Sequence, residues 1–586
     1  MYMCYNTPYE LTRCAHMFIR RQKRPNGQVS IVLVEGYRVD GKVKQRNVAY
    51  LGTEADLIKD DPDAVKKLIE KYKTAESKND AFVKLTVNLT EKISETNTIR
   101  NYGYFYLEKM YSELKLDETC KVIEETSGIS YSLSECLKLL CFMRALYPSS
   151  KKACLENGLD YFYKDYDVKL ESIYKSLTLL AKNKERFVKR MHQSLCEDYR
   201  KSTDILYYDV TNYYFEIDEG DEFRKKGCSK EHRPLPIVQM GLFMDQEGLP
   251  VDYFLYAGNK PDCKTLLPSF ERVKKTYSTD KIIVTADKGL NSGENLGYLL
   301  SQGNGYIVSQ RIRGAKKELV EQVLENTGWR SSPSELFEMK EFTRTIVVTY
   351  PDKTQHEHEQ KIICIWSDKY RAKEKNERDN LLEKVAQLAA DPKKFKRSCH
   401  QGMRKYIREV AIDKTTGEIC HDLVTQTQLN EERIAKGEAL DGYYLIVTSE
   451  TELSAAEILN KYRGLWRIEQ SFRITKSDVK ARPVYVRTKE HIEAHFLTCF
   501  MTLTMLRMLE IQLRRQYSCR RIIEGLNSAI ATEMAKAIYS INRRDEVMQA
   551  LDRCYQLEFN HRYVKAEDMC RFHSSLMRAV YTTPEK

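Results

Sequence analysis

Tyr462-Arg-Gly-Leu-Trp-Arg-Ile-Glu469-Gln-Ser-Phe-Arg-Ile-Thr-Lys476 sorts itself by chemistry when it is wound as a helix. At about 100° per residue, Tyr462, Trp466, Glu469, Arg473 and Lys476 fall within roughly 80° of arc. Leu465, Ile468, Phe472 and Val479 form a neighbouring apolar stripe. One stripe is expected to pack on a core while the other stays open to solvent and ligand. An ordinary amphipathic surface helix, with Glu469 paired to Arg473 for about 0.2–0.5 kcal/mol, carries the same pattern. The segment needs partners before it points to chemistry.

Two upstream runs supply them. Ile205-Leu-Tyr-Tyr-Asp209-Val-Thr and Lys281-Ile-Ile-Val-Thr-Ala-Asp287-Lys-Gly are β-rich and carry an aspartate at or near the end, the second followed by a glycine turn. Strand ends at a sheet edge hold side chains rigidly. Hard Mg²⁺ or Mn²⁺ takes oxygen ligands and keeps waters, so Asp209, Asp287 and Glu469 suit two such ions on a phosphodiester. Paired ions about 3.5–4 Å apart serve both the attacking and the leaving oxygen of an in-line displacement.

Further runs stand in order along the chain: Asp209-Val-Thr-Asn-Tyr-Tyr-Phe-Glu216, Ser229-Lys-Glu-His-Arg-Pro234, Ser292-Gly-Glu-Asn-Leu296 and Arg482-Pro-Val-Tyr485. With the Tyr462 segment they resemble the DDE transposases of bacterial insertion sequences. The C-terminal segment resembles the insertion sequence 4 superfamily, whose Tyr-Arg-Glu-Lys group spaces Tyr, two residues, Arg, three residues, Glu, six residues, Lys. Tyr462, Glu469 and Lys476 match; Leu465 stands at the Arg position, with Arg463 and Arg467 as the nearest substitutes.

The resemblance implies an α/β fold with an RNase H-like catalytic core, and cut-and-paste DNA transposition as the function. Water would attack at a transposon end, and the freed 3′-hydroxyl would then attack target DNA. By resemblance Asp209 bridges two Mg²⁺ or Mn²⁺ ions, and Asp287 and Glu469 complete one site each. The DNA contacts it implies are Tyr462, Arg463, Trp466, Arg467, Arg473, Lys476, His232 and Arg233. The partners are double-stranded DNA, as terminal inverted repeats and as target, and a second copy of the chain to bring two ends together. Trp466 reads more readily as a packed core tryptophan than as a stacking platform. Asn212, Glu216 and Asn291 are candidates to orient the carboxylates. Two other readings stay open: an inactive DNA-binding descendant of such an enzyme, and a nuclease that cuts without joining.

The rest of the 586 residues is organised around that core. Residues 1–80 read as a small basic β module, with hairpin turns at Asn26-Gly27 and Asp40-Gly41. Residues 81–200 are helical in period, with segments such as Leu133 to Ala145 and Ser172 to Arg200, and such preceding modules help to recognise transposon ends in the resembled family. Residues 201–310 and 442–490 are the two parts of the core. The stretch between Asp287 and Glu469 is too long for a single crossover and must hold an inserted, β-rich module at 311–441. Residues 491–586 read as helices.

Composition permits this reading without requiring it. A 42% hydrophobic and 31% charged chain is that of a folded soluble protein. A net charge of +11 suits a polyanionic partner. The 16 cysteines include no Cys-x-x-Cys pair, so buried thiols in a reducing compartment are expected. The N-terminus lacks the pattern of a signal peptide, and Phe496 to Leu506 is too short to span a membrane. A cytosolic protein is the expectation. His356 and His358 lack a third ligand, and the cations from Lys393 to Arg397 read as a phosphate-contact patch or, slightly more readily, as a solvated helix face.

Overall fold

Alternation of apolar and polar residues from Val29 and from Val43 calls for strands with one buried face. A computed structural model describes residues 16–23, 28–39, 42–60, 62–74, 98–199, 204–227, 234–277, 281–331, 337–389, 407–411, 425–535 and 537–581. The chain divides into two compact units, Met1–Ile93 and Ser94–Lys586. In the first, β1 (His16–Lys23), β2 (Val29–Val39) and β3 (Lys42–Thr53) form an antiparallel sheet in that order. Ile31, Val32 and Val34 are buried. Thr53 caps the following helix, Glu54–Asp60, by accepting from the Asp56 amide at 3.1 Å. The Asn26-Gly27 and Asp40-Gly41 turns lie outside the described residues.

The second unit opens with β4 (Ile99–Asn101) and then helices Tyr104–Glu113, Leu116–Ser127, Leu133–Leu146, Lys151–Tyr161, Leu170–Lys182 and Lys184–Tyr199. The helix expected from Ser172 to Arg200 is broken at Asn183, whose side-chain amide turns back to the Leu179 carbonyl at 2.9 Å. Asparagine competes with the helix backbone in this way, so it favours an end over an interior.

The large sheet follows. β5 (Ile205–Tyr214), β6 (Ile237–Asp245) and β7 (Pro250–Ala257) form an antiparallel meander. Helix Leu266–Tyr277 leads to β8 (Ile283–Ala286), and helix Gly293–Ser301 leads to β9 (Gly305–Gln310). β8 runs parallel to β5, and β9 parallel to β8. The segment after β9 carries β10 (Arg330–Ser331), β11 (Glu338–Thr349) and β12 (Gln355–Trp366), helix Asp368–Ala389, and a hairpin of β13 (Ile407–Ala411) and β14 (Thr425–Leu429). Helix Glu431–Ala439 then leads into β15 (Tyr443–Thr448). The order is β10-β11-β12-β15-β9-β8-β5-β6-β7, so β10 to β12 continue the core sheet through β15. The Lys393 to Arg397 run lies outside the described residues.

Helix Lys489–Gln512 is mostly apolar with no distinct polar face, and it is buried along nearly its whole length. It is long and apolar enough to cross a membrane by composition, yet it is a core helix of this unit. Beyond it the chain is not purely helical. β16 (Ile530–Ala535), β17 (Ile538–Ser540) and β18 (Tyr563–Lys565) join β4 in the order β18-β17-β16-β4. β17 and β18 are three residues long, too short to show a period, and β16 pairs with β4, more than 400 residues away. Most of the described cysteines are buried thiols.

Fully buried Asn101 ties these distant parts together: its amide donates to the Leu526 carbonyl at 2.8 Å and its carbonyl accepts from the Tyr104 amide at 3.3 Å. Asn101→Ala is expected to lower unfolding free energy by about 1–3 kcal/mol, the cost of buried groups left without partners. Urea unfolding followed by tryptophan fluorescence measures it.

Candidate active site

Tyr208 of β5 pairs with Ala286 of β8 in parallel register, so Asp209 and Asp287 come next, side by side, where β8 leaves the sheet. Successive side chains alternate between faces of a strand. Leu206, Tyr208 and Val210 belong to the core beneath helices Leu266–Tyr277 and Gly293–Ser301. Tyr207, Asp209 and Tyr213 therefore share the opposite face, and Asp287 lies on that face too. One step past the Ala286–Val308 pair stands Ser309 of β9, whose hydroxyl donates to Asp287 Oδ1 at 3.1 Å. Asp209 Oδ1 accepts from the Val210 amide at 2.7 Å.

The segment from Tyr462 to Lys476 is not one helix. Helix Ala455–Arg463 ends, the chain turns through Gly464 and Leu465, and helix Trp466–Arg473 carries Glu469. A π-helical turn, Ile474–Asp478, then holds Lys476. Single π-turns of this kind concentrate at functional sites. Tyr207 explains the break: its hydroxyl donates to the Lys461 carbonyl at 2.8 Å, and a Cβ on Gly464 would lie 2.0 Å from the Tyr207 hydroxyl oxygen. Tyr462 thus belongs to a different helix from Glu469. The apolar stripe is as expected, with Leu465, Ile468, Phe472 and Val479 all buried.

Tyr213 shares a hydrogen bond of 2.7 Å with Thr475 Oγ1. The segments on either side of the glutamate helix are thus fastened to β5, the preceding helix by Tyr207 and the π-turn by Tyr213, and Asp209 lies between these two tyrosines on the same strand face. Glu469 is exposed and opens into a cleft of about 430 Å³ that Asp287, Tyr444, Tyr462, Arg463 and Trp466 also line. Among the described residues no group of three or more His, Cys, Asp or Glu side chains is gathered closely enough to hold a metal ion. An open set of carboxylates still fits Mg²⁺ or Mn²⁺, which keeps waters and uses one or two carboxylates beside phosphate oxygens.

The phenols of Tyr462 and Tyr444 are pushed up, chiefly by burial, with the negative charge of nearby Asp287 adding to both. They interact with each other and with Ser309. Both stay protonated at neutral pH and keep a proton to donate beside the carboxylates. Ser309 and Tyr444 were invisible as site residues in the sequence, where each is one polar position in a strand. Asn291 donates to the Ser309 carbonyl at 2.9 Å and to Gln310 Oε1 at 2.8 Å, which holds the end of β9. Asn212 lies on the far face of β5, and Glu216 is exposed.

The cations separate. Arg463 lines the cleft with its guanidinium 5.6 Å from the Phe337 ring centre. Arg467 turns away and donates to the Gln246 carbonyl in the β6–β7 turn, because its position faces that hairpin. Leu465, at the position where the sequence comparison with the resembled group expects an arginine, packs in the main core. Trp466 is 52% exposed, so its reading as a core tryptophan is corrected: its flank of the helix borders the cleft instead of the apolar stripe. Arg473 is exposed, and Lys476 Nζ sits 5.7 Å from the Tyr213 ring centre. His232 and Arg233 lie outside the described residues.

A family model described as Transposase DDE domain matches residues 202–505, more than half of the chain. A second, described as IS1634 family transposase, N-terminal domain, matches residues 19–81. Among solved structures, a cryo-EM structure of the piggyBac transposase synaptic complex with hairpin DNA is similar at 8% identity and a TM-score of 0.34, over 72% of this chain and 78% of that one. No curated protein matches the chain.

Gly464→Ala is expected to break the Tyr207–Lys461 bond and shift the glutamate helix, because the new methyl and the phenol cannot share the space. A loss of about 1–3 kcal/mol is the usual cost of such overpacking. Urea unfolding checks the loss, and Tyr207→Phe should show part of it alone.

Proposed function

We propose, from the premise that this chain belongs to the transposases with a DDE domain, that Asp209, Asp287 and Glu469 are its catalytic acids. In this reading it is an insertion sequence 4 transposase of the Tyr-Arg-Glu-Lys group with an RNase H-like core. The carrying observation is that Asp209 and Asp287 stand side by side on one sheet face while Glu469, on a helix whose two flanking segments are fastened to that face, opens into the Asp287 cleft. The β5-β6-β7 meander flanked by parallel β8 and β9 supports the RNase H-like core.

DDE transposases use divalent metal ions. Two Mg²⁺ or Mn²⁺ ions bound by Asp209, Asp287 and Glu469 would activate water and offset charge on both reacting oxygens. The chain's own groups do the rest. Ser309 fixes one oxygen of Asp287 and so orients that carboxylate. Arg463 provides the cleft with the phosphate-binding cation that Leu465 cannot supply, and Lys476 holds a phosphate further along the same strand. Trp466 offers an exposed ring for stacking on an unpaired base. Tyr462 donates from beside Asp287 and Glu469, where it can steady the attacked phosphate. The partner is double-stranded DNA, as transposon ends and as target, and two copies of the chain bring the two ends together.

The reading is tested by excision from a plasmid carrying this gene with its native flanking DNA, scored by amplification across the donor junction. Wild type should release the segment and Asp209→Asn should not, with DNA binding largely spared, because the change removes a carboxylate charge with little change of shape. Excision by Asp209→Asn at the wild-type level refutes the acid assignment. Lys476→Ala should weaken binding to the ends and reduce the salt slope of log K by about one. An unchanged slope in a filter-binding titration removes Lys476 from the interface.

A further inference from the structure

Helix Trp466–Arg473 is short and lies between two irregularities, the break at Gly464 and the π-turn from Ile474. A two-turn helix has little rigidity of its own. Its apolar stripe selects the face that packs, but apolar contact is non-directional and does not fix rotation or slide. Something else must hold Glu469 at one angle over the sheet.

Arg507 is 1% exposed, inside helix Lys489–Gln512. Its Nη2 donates to Ser471 Oγ at 2.6 Å and to the Arg467 carbonyl at 3.1 Å. Its Nε reaches Ser471 Oγ at 3.3 Å, and its Nη1 donates to Gln470 Oε1 at 3.0 Å and to Glu510 Oε2 at 2.5 Å. Around the helix axis, Arg467, Gln470 and Ser471 lie roughly 160°, 100° and 160° from Glu469. The guanidinium therefore grips the back of the helix, opposite the side that carries Glu469. Ser471 Oγ also donates to the Arg467 carbonyl at 2.9 Å, which closes the network. A buried charge is tolerated only when it is balanced and hydrogen-bonded, and Glu510 supplies the balance. A planar fork fixes direction in a way that an ammonium or an apolar side chain does not.

We propose that Arg507 is a positioning residue that sets the angle of Glu469 over the sheet and so acts on the chemical step rather than on DNA binding. The inference rests on Glu469 being an active-site carboxylate.

The test uses the full-length chain, plasmid DNA carrying its gene and native flanks, and Mn²⁺ as the metal. Arg507→Lys keeps a charge facing Glu510 and loses the fork; its single-turnover cleavage should fall by about 100-fold, the scale of an ångström-sized misplacement. Its half-maximal Mn²⁺ concentration should rise several-fold, while DNA binding stays near wild type. Ser471→Ala removes the hydroxyl without touching a charge and should show the same pattern, more weakly; it decides alone where Arg507→Lys fails to fold. Glu469→Gln in the same assay should not cut. Wild-type rate and Mn²⁺ dependence in both variants, beside a dead Glu469→Gln, overturn the positioning role alone. Cleavage and DNA binding that fall in step also overturn it, because that marks general loss of structure. Normal cutting by Glu469→Gln overturns the site reading together with the inference.

Discussion

Two phenol hydroxyls on one strand, those of Tyr207 and Tyr213, fasten the segments just before and just after the Glu469 helix to the sheet that carries Asp209 and Asp287. Carboxylates that serve a metal cannot be held by burying them, since burial disfavours their charged form. They have to stay open while the elements beneath and behind them are fixed. The bonds from Tyr207 and Tyr213 do this from below, and the apolar stripe of Leu465, Ile468 and Phe472 closes the seam. Gly464 is the concession in the sequence to this arrangement: only a residue without a side chain leaves room for the Tyr207 ring.

The departure at Leu465 becomes intelligible in the same frame. Position 465 lies on the buried side of the turn between the two helices, where an arginine would have to find partners or pull the turn outward. The cation in the cleft is Arg463, two residues earlier, at the end of the preceding helix. Arg467, equally close in sequence, is taken up by the β6–β7 turn. Proximity along the chain did not distinguish them; the break in the helix did.

The long segment between Asp287 and Glu469 is built into the sheet. β12 pairs with β15, and β15 pairs with β9, so the strands of the insertion extend the same surface that presents Asp287 and Ser309. Phe337 and Ile365 from this extension line the cleft beside Glu469. The segment thus shapes one wall of the site, and the cleft's apolar side comes from residues that no local pattern links to the acids. Tyr444 of β15 reaches the site in the same way.

What the sequence determined by itself is what local chemistry specifies. The strand runs around Asp209 and Asp287, the apolar stripe that includes Ile468, the meander and the long helix near 491–513 all follow from period and turn residues, and they match the structure to within a few residues. The three acids and Lys476 stand out as candidates because motif spacing survives without knowledge of packing. Only the tertiary structure decided the break at Gly464, the exposure of Trp466, the place of Arg463 in the cleft and of Arg467 at the β6–β7 turn, the bond from Ser309 to Asp287, the place of Tyr444 in the cleft, and the bonds from Arg507 to the glutamate helix. Each depends on a contact between residues far apart in the chain, such as Tyr207 with Lys461 or Arg507 with Ser471. The strands after residue 529 escaped for a related reason: they are short, and they are stabilised by pairing that reaches back to Ile99–Asn101. A period records which face of an element is buried; it carries no record of what buries it.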